Sequence, residues 1–145
     1  MHELTLAQSV IELVIEETRK KRARQVTEMV VDAGELMQLD LNVLRFSLRT
    51  LGNSSVLKRA KIRVHLVRAT FECRRCKQRW TMKEALNQLS VVPDSLLIRE
   101  PKSKEMPLHF MPYLYATFLK CPACSSSDIN VTSGKDIRIA KLSME

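Results

Sequence analysis

Phe71-Glu72-Cys73-Arg74-Arg75-Cys76-Lys77 is the stretch where the chain changes character. Upstream, apolar residues recur with clear helical or strand periods. Downstream, that rhythm weakens, a second pair of cysteines follows at Cys121-Pro122-Ala123-Cys124, and residues 91–112 hold four of the five prolines, including Pro101, Pro107 and Pro112. Two residues between thiols let one tight turn aim both sulfurs at a shared ion, and two such turns make a four-sulfur tetrahedral cage. Zinc suits that cage, being borderline soft and content with four ligands. A closed cage of this kind braces a module that lacks a sufficient core of its own. A pair of disulfides is disfavoured in a reducing cytosol, and a dithiol oxidoreductase needs only one CxxC in a thioredoxin-like setting. An iron–sulfur cluster takes the same four thiolates and stays open as an alternative. The insert from Lys77 to Lys120 is longer than common zinc patterns use, but closure entropy grows only logarithmically with loop length.

Upstream of Cys73, Leu4, Ala7, Ile11, Val14, Ile15 and Thr18 stand at helical spacing, predicting an amphipathic helix over residues 4–20. Gln25 to Ala33 is β-branched and ends at Gly34, which predicts a strand. Asp40 is placed to cap a second helix lined by Leu41, Leu44, Leu48 and Leu51, with Gly52 as its stop. Lys61–Phe71 alternates and predicts one half-buried strand. The order helix, strand, helix, strand predicts an α/β fold, a small sheet covered by two helices, followed by a zinc-ribbon-like second module. In that module Met82–Leu89 reads as a short helix, residues 91–112 as an ordered loop, and Asp128–Thr132 with Asp136–Leu142 as a closing hairpin around Ser133-Gly134.

The chain has 145 residues, 45% of them hydrophobic, enough for a real core. No apolar run approaches the roughly 18 residues of a membrane span. The first residues, apolar only at intervals and carrying Glu3 and Glu12, do not form a signal peptide. The expectation is a cytoplasmic protein with no membrane partner. A net charge of +8 invites a nucleic-acid reading, yet residues 1–70 and 71–145 each carry half of the 24 basic and half of the 16 acidic side chains. The densest run, Arg19-Lys20-Lys21-Arg22 with Arg24, follows a helix end, where cations favour exposed carbonyls. Arg74-Arg75 in the first knuckle keeps a zinc-ribbon nucleic-acid-binding protein as the alternative, but no reading helix is visible. No nucleophile–base pair or phosphate-binding glycine loop points to an enzyme.

The opening Met1-His2-Glu3 offers a second ligand set. A free Met1 amine, the His2 backbone nitrogen and the His2 imidazole close two fused chelate rings on one metal. With the amide ionised, three nitrogens lie in a plane, a geometry that selects Ni(II) or Cu(II) over zinc. A fourth donor must come from elsewhere. Taken alone, a histidine at position two is usually incidental, and Glu3 is a carboxylate favoured at a helix start.

Met1-His2-Glu3, a first helix containing Leu6-Ala7-Gln8-Ser9, the Gly34-Glu35-Leu36 turn after a strand and the two CxxC pairs together resemble the HypA family, nickel metallochaperones for maturation of [NiFe]-hydrogenases. The resemblance runs over essentially the whole chain. It implies a nickel-binding α/β domain over residues 1–72, a zinc-binding domain over 73–132 and a C-terminal strand in 133–145 returning to the first sheet. It implies nickel as cargo held through Met1 and His2 with Glu3 beside them, and structural zinc held by Cys73, Cys76, Cys121 and Cys124. The long insert is more similar to archaeal members, especially at His109-Phe110-Met111-Pro112, and implies that His109 supplies the fourth nickel donor. The partners so implied are a HypB-type nucleotide-hydrolysing nickel-insertion protein and the hydrogenase large subunit. His65, by contrast, is expected as a surface residue of its strand.

Overall fold

The computed structural model describes residues 2–89, 98–100, 103–105 and 119–145, with backbone alone for residues 2, 88, 89, 98–100 and 103–105. Its elements run α1 (His2–Lys20), β1 (Val26–Gly34), a 3-10 turn (Glu35–Met37), α2 (Leu41–Gly52), β2 (Lys61–Val67), β3 (Thr70–Cys73), β4 (Arg79–Thr81), α3 (Met82–Leu89), β5 (Ile98–Glu100), β6 (Ser103–Glu105), β7 (Ile129–Ser133) and β8 (Ile137–Met144). They divide between two compact units, one of residues 1–33, 39–66 and 137–145, the other of residues 34–38 and 67–136.

The first unit is a three-stranded sheet, β2-β1-β8, with α1 and α2 packed on each other. Strand β8 runs antiparallel to β1, from Val26 opposite Met144 to Ala33 opposite Ile137. Ala7, Val10, Ile11 and Val14 of α1 meet Leu44 and Leu48 of α2 over Met29, Val31, Ala33 and Val64 of the sheet. The buried stripe of α1 keeps the expected Ala7, Ile11, Val14 and Thr18 and adds Val10, while Leu4 is exposed and Glu3 lies buried. Thr18 joins that stripe because its hydroxyl donates to the Val14 carbonyl, 2.6 Å away, so no bare polar group enters the core. Helix α2 starts where Asp40 accepts the Asn42 and Val43 amides, at 3.0 and 3.2 Å, satisfying two otherwise orphaned donors.

The second unit holds the sheet β4-β3-β7 and the hairpin β5-β6. Its core sets Leu36, Phe71, Trp80, Met82, Ala85, Leu119, Ile129 and Val131 around Cys73 and Cys121. Phe71 and Trp80, facing each other across β3 and β4, stack with ring centres 5.8 Å apart.

Two sequence expectations are corrected here. The single strand Lys61–Phe71 is two strands, β2 in the first sheet and β3 in the second, broken at Arg68-Ala69. There the Glu35 carboxylate accepts the Ala69 amide at 2.8 Å and so takes that group out of the ladder. The expected hairpin around Ser133-Gly134 does not form either, since β7 pairs with β3 and β8 with β1. Gly134 has φ +76°, and a Cβ there would come within 2.6 Å of the Ala69 nitrogen and the Arg68 oxygen. Only glycine allows so close a backbone approach. Within residues 91–112, expected as an ordered loop without a long element, the described residues form the two three-residue strands β5 and β6.

Candidate metal centre

Each CxxC pair sits on a turn of the same construction. In the first, the Cys73 amide donates to the Gln78 carbonyl, the Lys77 amide to the Cys73 carbonyl, and the Cys76 amide points at the Cys73 sulfur, 3.4 Å away. In the second, the Cys121 amide donates to the Ser126 carbonyl, the Ser125 amide to the Cys121 carbonyl, and the Ala123 amide points at the Cys121 sulfur, also at 3.4 Å. Both turns close through a left-handed residue, Lys77 with φ 67° and Ser125 with φ 60°. Neither is glycine, so the sequence carries no mark of these conformations. Strand β3 delivers Cys73, and the Asp128 carbonyl just before β7 accepts the Arg74 amide, which ties the first knuckle to the strand that follows the second.

The four sulfurs converge. Cys73 and Cys124 lie 3.6 Å apart, Cys76 and Cys121 3.5 Å apart, and all four ligand atoms fall within 4.8 Å of one another. A tetrahedron with metal–sulfur bonds of about 2.3 Å has edges of roughly 3.8 Å, which these separations approach. Disulfides, with sulfurs about 2.05 Å apart, are excluded, and all four cysteines are free. The span leaves room for one ion and none for a multi-iron cluster, whose four cysteines are divided among separate irons. The donor set therefore fits a structural zinc.

Proton equilibria in the cage point the same way. The Cys76 amide, ahead of burial and the other neighbours, pulls the Cys73 thiol down to about 6. For Cys76 the Gln78 amide acts to lower the pKa, but the neighbouring Cys121 sulfur, burial, Cys124 and Cys73 outweigh it and push the thiol up to about 12. Four thiolates this close repel one another, so complete ionisation needs a cation among them.

At the other end of the sequence, α1 begins at His2, and an amide in the first turn of a helix has no carbonyl four residues back to bond. Glu3, 7% exposed, accepts the Asp40 amide at 2.9 Å. Burial pushes its pKa up, but the Asp40 amide and its own backbone amide outweigh this and hold it below the usual carboxylate range. The start of α1 is thus tied to the start of α2, a link no local pattern announced. Met1, the His2 side chain and His109 lie outside the described residues. His65 is exposed on β2.

A family model described as hydrogenase/urease nickel incorporation, metallochaperone HypA matches residues 1–144. The chain is 30% identical over 145 residues to the hydrogenase maturation factor HypA of Pyrococcus horikoshii, covering 100% of this chain and 96% of the relative. It is 28% identical over 141 residues to that of Ignicoccus hospitalis, covering 96% and 93%. In fold it is similar to the solution structure of the Ni metallochaperone HypA from Helicobacter pylori, with a TM-score of 0.58, 21% identity, and 98% and 96% of the two chains covered. A second solution structure of a HypA protein gives a TM-score of 0.59 at 22% identity, with 100% and 97% covered. Among the described residues no helix is long and apolar enough to cross a membrane.

Proposed function

The chain belongs to the HypA family of nickel-incorporation metallochaperones, and from that membership we propose that it captures Ni(II) at its amino terminus and delivers it for maturation of [NiFe]-hydrogenase. The observation that carries this reading is the family match over residues 1–144, which takes in both cysteine pairs and the whole Met1-His2-Glu3 start. The Met1 amine, the His2 amide nitrogen and the His2 imidazole hold the nickel, and His109 fills the fourth place. Support comes from the helix start at His2, whose amide owes nothing to the helical ladder. The positive end of the α1 dipole opposes a dication, and an ionised amide with the Glu3 carboxylate nearby offsets it. Glu3, held by the Asp40 amide, fixes the direction in which the donors leave the helix. Cys73, Cys76, Cys121 and Cys124 hold a structural zinc, and the closed cage leaves it no open position for catalysis.

The protein acts in the cytoplasm as a carrier and not as an enzyme. Its partners are a HypB-type nucleotide-hydrolysing nickel-insertion protein and the hydrogenase large subunit. Linkage requires that a partner which weakens nickel binding be weakened by nickel to the same factor. Calorimetric titration with Ni(II) tests the proposal. One site is expected, weaker on acidification because imidazole and amide must release protons. His2→Ala, or one residue added before Met1, lowers its affinity by more than about a hundredfold, beyond the loss typical of a ligand's supporting residues. Unchanged affinity in both variants would overturn the chelate.

A further inference from the structure

The cations of this chain are not distributed alike. On the sheet of the first unit three of the four cations are matched among the described residues, Lys61 being the exception: Lys141 and Arg63 face Glu28 at 3.1 and 3.9 Å, and Arg138 faces Asp32 at 3.5 Å. At the end of the unit where α1 stops, they are not. Arg19, Lys21, Arg22, Arg24, Lys58 and Arg59 are all exposed, and none has a carboxylate partner among the described residues. Among the described residues, only Lys20 is paired there, with Glu16 and Glu17 at 3.4 and 3.7 Å. Two separate segments build this pole. The Val26 amide donates to the Val56 carbonyl, bringing the turn that carries Lys58 and Arg59 beside the start of β1, two residues after Arg24. The end of β8 joins them, because the Arg24 and Gln25 amides both donate to the Glu145 carbonyl.

The α1 dipole accounts for cations in its last turn and for no others. It does not explain Arg24, nor Lys58 and Arg59 from a different segment, gathered at the cost of mutual repulsion. The surface is also concave. Arg22, Arg24, Gln25 and Glu145 line a cavity of about 540 Å³, with the Glu145 carboxylate already accepting from Gln25 Nε2 at 2.7 Å. Arg22 holds its place on this rim in the left-handed conformation, φ 53°.

We propose that this pole docks a carboxylate-rich segment of a partner protein, with Arg22 and Arg24 as its fork-shaped receptors and Lys58 and Arg59 extending the track. Arginine pairs with carboxylates through two parallel hydrogen bonds, which suits a peptide bearing Asp or Glu. A nucleic acid fits less well, since residues 19–25 and 56–61 contain no aromatic side chain on which a base would stack. The inference goes beyond the nickel reading and does not depend on it. Helix α1 has 19 residues, so its two ends stand about 28 Å apart, and a partner held here leaves the chain's first residues free.

The test uses the zinc-loaded full chain and a dye-labelled oligoglutamate peptide, read by fluorescence anisotropy at low and physiological salt. Binding is expected to fall with salt and to weaken about tenfold in Arg22→Ala/Arg24→Ala and again in Lys58→Ala/Arg59→Ala. Lys83→Ala/Lys135→Ala removes the same charge from the other unit and should leave affinity unchanged. Amide NMR shifts on titration should cluster at residues 19–25 and 56–61. Equal loss in the control variant would reduce the effect to net charge and overturn the proposal. So would absence of peptide binding, or tighter binding of a mixed-sequence single-stranded RNA at the same residues.

Discussion

The two units solve the problem of a core in different ways. In the first, α1 and α2 close aliphatic side chains over a three-stranded sheet, and polar atoms in that core, such as the Thr18 hydroxyl, are satisfied by the backbone. In the second, two thiols, Cys73 and Cys121, stand among the apolar residues themselves, and the sulfurs converge without a covalent link. The aliphatic core gains stability from area removed from water. The thiol core is incomplete until a cation offsets the repulsion of its ligands. One unit therefore stands on its side chains, and the other on side chains plus an ion.

Removing that ion separates the two units most strongly. Chelation, or Cys121→Ala, should unfold the second unit and spare the first, a loss on the order of 10 kcal/mol of binding-linked stability. Trp80, the only tryptophan and 2% exposed, reports it directly: its emission should move to the red while α1 and α2 keep their helical signal. Retained blue emission after complete zinc removal would show a self-sufficient second core. A converse variant, Leu48→Ala, empties a fully buried position between α2 and the sheet and should cost about 2–5 kcal/mol, by denaturant melts of helical signal with Trp80 emission first unaffected. Asp40→Ala removes the acceptor for the Asn42 and Val43 amides and should cost about 1 kcal/mol in the same melts.

The smallest effect belongs to Glu28. The Lys141 hydrogen bond, against burial and with Lys141 and Arg63 charges in support, holds its pKa below the ordinary 4.5. Its contribution to stability is present above that ordinary value and is lost as pH falls through the lowered one. Glu28→Gln should lower neutral stability slightly and flatten the acid limb of the melting-temperature profile below about pH 4.5, so that the two profiles converge in acid. A profile identical to the parent's would show that the pair is too exposed to matter.

The legible parts of the fold were those with a local cause. The α2 cap at Asp40, the strand ending at Gly34 and the paired cysteines each follow from a few adjacent residues. Three features escaped, two of them because their cause is distant. The break between β2 and β3 depends on Glu35 taking the Ala69 amide, and the parting of β7 from β8 on backbone packed against Gly134. The knuckle turns close on Lys77 and Ser125, residues that rarely signal a left-handed backbone. Glu3 was legible as a helix-start carboxylate, but its bond to the Asp40 amide needed α2 to be in place. The unpaired cations of the α1 end were visible as a charge run, whereas their meeting with Lys58 and Arg59 needed the Val26–Val56 bond.

X-ray absorption at the zinc and nickel edges of the doubly loaded chain tests most directly whether the thiol cage and the amino-terminal donors are separate sites. Separate sites give four sulfurs around zinc at about 2.3 Å, and nitrogen donors with no sulfur around nickel. Sulfur in the nickel shell, or nitrogen replacing sulfur around zinc, would contradict that separation.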